Sequence, residues 1–102
     1  MVLMEFSITP LGVGESVSEY VARCVDLVEK SGLDYRLNSM GTVVEGELGE
    51  VLQLLEKCTQ AVAKDCPRVS VSAKLDYRQG ASGRLTGKVA SVEKKLGHAL
   101  KK

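Results

Sequence analysis

Apolar and polar side chains alternate over the first segment, VLMEFSIT, with Val2, Met4, Phe6 and Ile8 on one side and Leu3, Glu5, Ser7 and Thr9 on the other. That is the period of a half-buried strand. Pro10, Gly12 and Gly14 then interrupt extended structure. The tetrad Ser16-Val17-Ser18-Glu19 has the form of a capping box and predicts a helix from about Val17. Val17, Tyr20, Val21, Cys24, Leu27 and Val28 recur at helical spacing up to Ser31-Gly32, where glycine tolerates a left-handed cap.

After Gly32 the period returns to two. Tyr35 and Leu37 alternate with Arg36 and Asn38, Ser39-Met40-Gly41 supplies a turn, and Thr42 to Gly46 resume extended structure, so a hairpin is predicted. Leu48, Val51, Leu54, Leu55, Cys58, Ala61 and Val62 are again helical in spacing, and Pro67 disfavours helical geometry at Cys66, which bounds a second helix at about 48–65. Val69, Val71, Ala73, Leu75 and Tyr77 alternate with polar residues as a fourth strand. The run QGASGRLTG, residues 79–87, reads as a flexible loop, and Val89, Val92 and Leu96 mark a short third helix with Lys88, Lys94 and Lys95 outside. The order strand, helix, strand, strand, helix, strand is the split βαβ arrangement of a ferredoxin-like α+β sandwich. An antiparallel four-stranded sheet with two helices on one face is expected. The chain then forms one domain, with a core at 2–78, a C-terminal loop and helix at 79–97 and a tail at 98–102.

Composition narrows this picture. The 102 residues are 44% hydrophobic but only 4% aromatic, so aliphatic side chains and methionine must fill one modest core. No apolar run approaches 20 residues, and Glu5 interrupts the first apolar segment where a leader would be uninterrupted. A cytoplasmic location without membrane contact is the expectation. Net charge is +1, yet residues 1–73 carry 6 basic and 11 acidic side chains while residues 74–102 carry 8 and 2. Such asymmetry fits a nucleic-acid tail, a segment docked on its own acidic body, or one docked on a neighbouring subunit.

Few constellations of chemistry survive inspection. Cys24, Cys58 and Cys66 include no CxxC and have a single His98 beside them, which suits neither a disulfide framework nor a zinc site; Cys24 and Cys58 fall on apolar helix faces as small hydrophobes. Nucleophilic catalysis lacks a base, because His98 lies in the tail. Glu5 with Glu45 or Asp76 is the one carboxylate pairing for acid–base work, but strand carboxylates are more often surface residues. The GVGES run lacks the lysine of a phosphate loop and the third glycine of a dinucleotide fingerprint. No outward aromatic stands on the first or third strand to stack a base, which argues against RNA. No catalytic residue, metal ligand or required cofactor is assigned. The face opposite the two helices carries hydroxyls and paired charges, Glu5, Ser7 and Thr9 beside Ser70, Ser72, Lys74 and Asp76. It is either solvated or buried against another subunit.

The segments ITPLGVGESVSEYVA, SGLDYRLNSMGTVVEGE and RVSVSAKLDYRQG, followed by GKVASVEKKLG, resemble the thiamine-binding protein family, the YkoF-like group of small ferredoxin-like proteins, over about residues 2–97. The most specific part is the order of Gly32, Tyr35, Met40, Gly41, Thr42, Glu45 and Gly46. The resemblance implies a noncatalytic binder of thiamine or its hydroxymethylpyrimidine portion, assembled as a dimer or tetramer by strand pairing and sheet packing. Thiamine joins a cationic thiazolium to an aminopyrimidine, so its pocket needs a carboxylate, hydroxyls and an apolar wall. Glu45 would then accept from the aminopyrimidine or balance the cation, Thr42 and Ser7 would fix the ring edge, and Tyr35 or Met40 would form the wall, although Tyr35 and Met40 read equally as core. Thr42 and Glu45 are three apart and face opposite sides of a regular strand, so one pocket uses both only if a bulge near Gly46 re-aims one. The alternative is a regulatory or protein-interaction module of the same fold without this ligand.

Overall fold

The computed structural model describes residues 1–12, 17–80 and 83–101. In chain order these form β1 (Val2–Leu11), α1 (Ser18–Lys30), β2 (Asp34–Asn38), β3 (Gly41–Gly46), α2 (Leu48–Ala63), β4 (Arg68–Tyr77) and α3 (Arg84–Leu96). The strands make one antiparallel sheet in the order β2-β3-β1-β4, the arrangement the element order predicts. The two ten-residue strands β1 and β4 lie side by side, and the short β2–β3 hairpin completes the sheet on the other flank of β1.

Strand β1 runs through Pro10, which the sequence pattern marks as a breaker. Its pairing explains this. Arg78 N–H bonds Met1 O at 3.3 Å and the Met1 amine bonds Arg78 O at 3.4 Å, so Met1 and Arg78 are a hydrogen-bonded pair of the antiparallel ladder. Odd-numbered β1 residues therefore bond β4, and even-numbered ones turn their peptide groups toward β3. Pro10 is even-numbered, so the N–H it lacks is one that β4 never uses. On the other flank, β3 pairs only with Val2–Phe6, whereas β4 pairs with Val2–Leu11. Residues Ser7–Leu11 thus overhang β3.

The core lies between the sheet and the pair α1–α2. Val2, Met4 and Phe6 of β1 and Val44 of β3 pack against Val28, Val51, Leu54 and Cys58, with Tyr35 and Cys24 against the margin. Met4 stands opposite Val44, and both are fully buried. Across the helix interface each cysteine sulfur lies 3.8 Å from the other's carbonyl oxygen, Cys24 Sγ from Cys58 O and Cys58 Sγ from Cys24 O. The three cysteines are free thiols. Arg23 fastens the same interface, donating to Ala61 O at 3.1 Å and pairing with Asp65 at 2.6 Å and Glu19 at 2.9 Å.

Helix ends depart from the pattern at all three helices. α1 begins at Ser18 with Val17 as its N-cap, and Val17 makes no side-chain cap bond; Ser16, on which the predicted capping box rests, lies outside the described residues. α2 has a box the pattern did not flag, in which the Glu50 carboxylate accepts the Glu47 N–H at 2.9 Å. α3 starts at Arg84, inside the segment predicted as loop. Gly83, at φ 65°, forms its N-cap in the left-handed region, and Gly87 bonds back to Gly83 O at 3.2 Å. A glycine costs a helix only about 1 kcal/mol against alanine, so Gly87 weakens the helix without stopping it.

α3 lies on the sheet face opposite α1 and α2, against β2 and β3 of its own chain. Leu85, Val89 and Ala90 face Val43 and Arg36 there across a gap of about 290 Å³. On the helix side, β4 is left largely open, with Val71 and Leu75 40% and 38% exposed.

Candidate functional site

The overhang of β1 creates the candidate site. Where β3 begins at Gly41, the turn Ser39–Met40 and its flanks stand back from β1, and the N-cap Val17 with Val21 and Val25 of α1 roofs the space. The result is a groove of about 350 Å³, within the range of small-molecule pockets of about 300–1,000 Å³. Gly41 is needed at its corner, because a Cβ there would sit 3.1 Å from the Phe6 carbonyl oxygen. The lining includes Ser7 and Thr9 of β1, Asn38 of β2 and Thr42 of β3. By strand alternation the Thr42 side chain lies on the helix side with Phe6 and Ile8, whereas those of Ser7, Thr9 and Asn38 belong to the opposite face and meet the groove only along the open strand edge. Among the described residues lining the groove there is no Asp, Glu, Lys or Arg.

The five predicted site residues divide between two places. Ser7, Met40 and Thr42 share this groove, Met40 at the turn tip with 90% of its surface exposed. Tyr35 stands opposite Val44 on the helix side and packs against the core, while also bordering an open depression between β2 and the start of α3. Glu45 borders that depression too, but from the other face of the sheet, where it pairs in register with Leu3 and Asp34. It is 4% exposed, and its Oε1 accepts the Gly83 N–H at 3.1 Å. The β1–β3 register runs without a break from Val2–Gly46 to Phe6–Thr42, so no bulge re-aims either side chain and Thr42 and Glu45 face apart. Gly46 has a packing reason instead, since a Cβ would lie 3.0 Å from Leu33 Cδ2 and 3.4 Å from Val51 Cγ1.

Cys24 forms part of the groove wall and is half-buried. The hydrogen bond from Cys58 pulls its thiol below the ordinary range, with the Arg23 charge assisting and burial opposing. Cys58 is pushed far above that range, first by donating to Cys24 and then by burial. Among the described residues no group of three or more His, Cys, Asp or Glu is placed to hold a metal, and no helix is long and apolar enough to cross a membrane.

The residues that the sequence pattern missed are Ile8, Pro10, Leu37 and Asn38, all of which line the groove. A signal for them existed in the unequal lengths of the strands: a first and a fourth strand longer than the hairpin between them must leave backbone uncovered. Which end is uncovered depends on register, and register is a tertiary property.

Fold and site together define an antiparallel α+β sandwich with a groove beside an overhanging strand. The chain belongs to the thiamine-binding protein family, whose model matches residues 4–93. A UPF0045 protein of Mycobacterium bovis is 45% identical over 96 residues, covering 93% of this chain and 94% of the relative. The crystal structure of the UPF0045 protein MJ1052 of Methanocaldococcus jannaschii superposes with a TM-score of 0.82 at 37% identity, covering 89% of this chain and 94% of the other. A Thermotoga maritima protein provisionally described as acting in thiamine biosynthesis or salvage shares the fold, with a TM-score of 0.78 at 20% identity over 89% of this chain and 97% of its own.

Proposed function

We propose that this chain binds thiamine or its hydroxymethylpyrimidine moiety, without catalysis, in the groove beside the β1 overhang. The observation that carries the reading is that the β1 overhang, at Ser7, and the β2–β3 hairpin, at Met40 and Thr42, line one groove of ligand size in a chain of the thiamine-binding family. The Thermotoga neighbour's description points the same way.

The described lining favours the neutral half of thiamine. A thiazolium cation would leave water for a groove whose described lining has no carboxylate, and an unpaired buried charge is strongly penalised. The aminopyrimidine is neutral and flat, with apolar faces for Val21, Leu37 and Met40 and a polar edge for Thr42 and the open edge of β1. The pyrimidine belongs inside and the thiazolium toward solvent. Glu45, turned away from the groove, then serves as the anchor of α3.

The binder works as a cytoplasmic homo-oligomer in this proposal. β4 offers a ten-residue outer edge with Val71, Leu75 and Tyr77 exposed beside it, and such an edge invites pairing with another copy. Calorimetric titration of thiamine and of hydroxymethylpyrimidine into wild type and Thr42→Val tests the core of the proposal. Saturable heat from both ligands is expected, with affinity about tenfold lower in the variant, as one lost hydrogen bond of about 1 to 1.5 kcal/mol implies. No heat from either ligand with wild type would overturn it.

A further inference from the structure

The overhang of β1 brings backbone as well as side chains to the groove. Odd-numbered β1 residues bond β4, and Val2, Met4 and Phe6 turn their peptide groups to Gly46, Val44 and Thr42 of β3. The next residue in that series is Ile8. Opposite it β3 has already ended, and Ile8 has no partner in the β1–β3 register, which stops at Phe6–Thr42. Both groups point to the side on which the groove lies, and Ile8 lines it. One step further, Pro10 offers a carbonyl but no N–H.

We propose that Ile8 reads the ligand through its main chain, as the donor–acceptor pair for the edge of the aminopyrimidine. This rests on the groove being the pyrimidine site. In a 4-aminopyrimidine a ring nitrogen that accepts sits beside an exocyclic amino group that donates. The ring nitrogen takes the Ile8 N–H and the amino group gives to the Ile8 C=O, the same reciprocal exchange that Phe6 makes with Thr42 one step earlier in the ladder. The ligand thus occupies the place that another residue of β3 would have filled. Pro10 keeps that place short, since a further strand would need the N–H that proline lacks.

A backbone pair has a property that hydroxyls do not share. Ser7 and Thr42 can rotate their O–H groups to donate or accept, whereas the Ile8 N–H only donates and its C=O only accepts. In the 4-oxo analogue of hydroxymethylpyrimidine the ring nitrogen becomes a donor and the exocyclic group an acceptor. Both contacts at Ile8 then set like against like, and a site built for a given hydrogen-bond pattern rejects the wrong one strongly.

The test compares the 4-amino and 4-oxo pyrimidines by calorimetry and follows the amide exchange of ¹⁵N-labelled protein, in wild type and Thr42→Val. The 4-oxo compound is expected to bind at least a hundredfold more weakly to both proteins. Saturation with the 4-amino compound is expected to slow Ile8 amide exchange at least tenfold, while Ser7 and Thr9, already bonded to β4, stay within twofold. Equal binding of the two pyrimidines to wild type overturns the proposal for Ile8 and leaves the groove reading standing. A preference for the amino form that vanishes in Thr42→Val, with Ile8 exchange unchanged, also overturns it. Binding of neither compound removes the parent reading and this one together.

Discussion

Replacement of Glu45 separates two roles that the same carboxylate has been given. Its Oε1 accepts the Gly83 N–H at 3.1 Å with only 4% of the residue exposed, and Gly83 is the N-cap of α3. That cap has no side chain, and the first turn of α3 has no acid of its own, so Glu45 supplies both the missing acceptor and a negative charge near the positive end of the helix. A hydrogen bond to a charged acceptor contributes about 1.5–3 kcal/mol, and a carboxylate near a helix N-terminus adds about 0.3–1 kcal/mol. Glu45→Ala is therefore expected to cost about 2–4 kcal/mol, and Glu45→Gln, which keeps an acceptor, roughly 1 kcal/mol. For a chain of this length each kcal/mol lowers Tm by about 4–8 °C. Urea and thermal unfolding give the totals, and hydrogen exchange locates the loss, which is expected first in the amides of α3. Thiamine affinity in Glu45→Gln is expected within twofold of wild type. An alanine variant of unchanged stability refutes the anchoring role. A tenfold loss of affinity in a glutamine variant of normal stability moves the ligand to the face of Glu45 and refutes the groove.

Further outcomes follow from packing and from the thiols. Met4→Ala, at a fully buried site of the central strand, is expected to cost about 2–5 kcal/mol by chemical denaturation. Gly41→Ala should destabilise more than Gly46→Ala, because its Cβ meets the immobile Phe6 carbonyl at 3.1 Å whereas that of Gly46 meets the rotatable side chain of Leu33 at 3.0 Å; the reverse order by urea midpoint would contradict the geometry. Cys24, its thiol lowered, contributes stability above the ordinary thiol pKa that is lost as pH falls; Cys58, its thiol raised, contributes stability that is lost as pH rises past the unfolded value of about 8.5. Stability from the pair is thus expected to peak near that pH, and Cys58→Ala to reduce the alkaline decline; iodoacetamide should modify Cys24 before Cys58 or Cys66, and ligand in the groove should slow it.

The element order was legible because period two and period 3.6 are imposed by burial on one face, and Val2, Met4 and Phe6 show it as plainly in the sequence as in the core. The parity of Thr42 and Glu45 was equally readable, and the unbroken register keeps them on opposite faces. What failed to show was which neighbour each strand edge would have. Pro10 looks like a breaker until its missing N–H is seen to point away from β4. Arg84–Gly87 look like loop until α3 is seen starting on a left-handed Gly83 held by Glu45. The groove shares this origin, since it exists through the difference in pairing between β1's two flanks.

Titration of ¹⁵N-labelled protein with hydroxymethylpyrimidine, followed by amide chemical shifts, distinguishes the two faces of the sheet in one experiment. The expected result is saturable shifts clustered at Ile8, Asn38, Ser39 and Thr42, with Glu45 and Gly83 unmoved. Shifts clustered instead at Tyr35, Glu45 and Gly83, or none at saturating ligand, would contradict a ligand site at the β1 overhang.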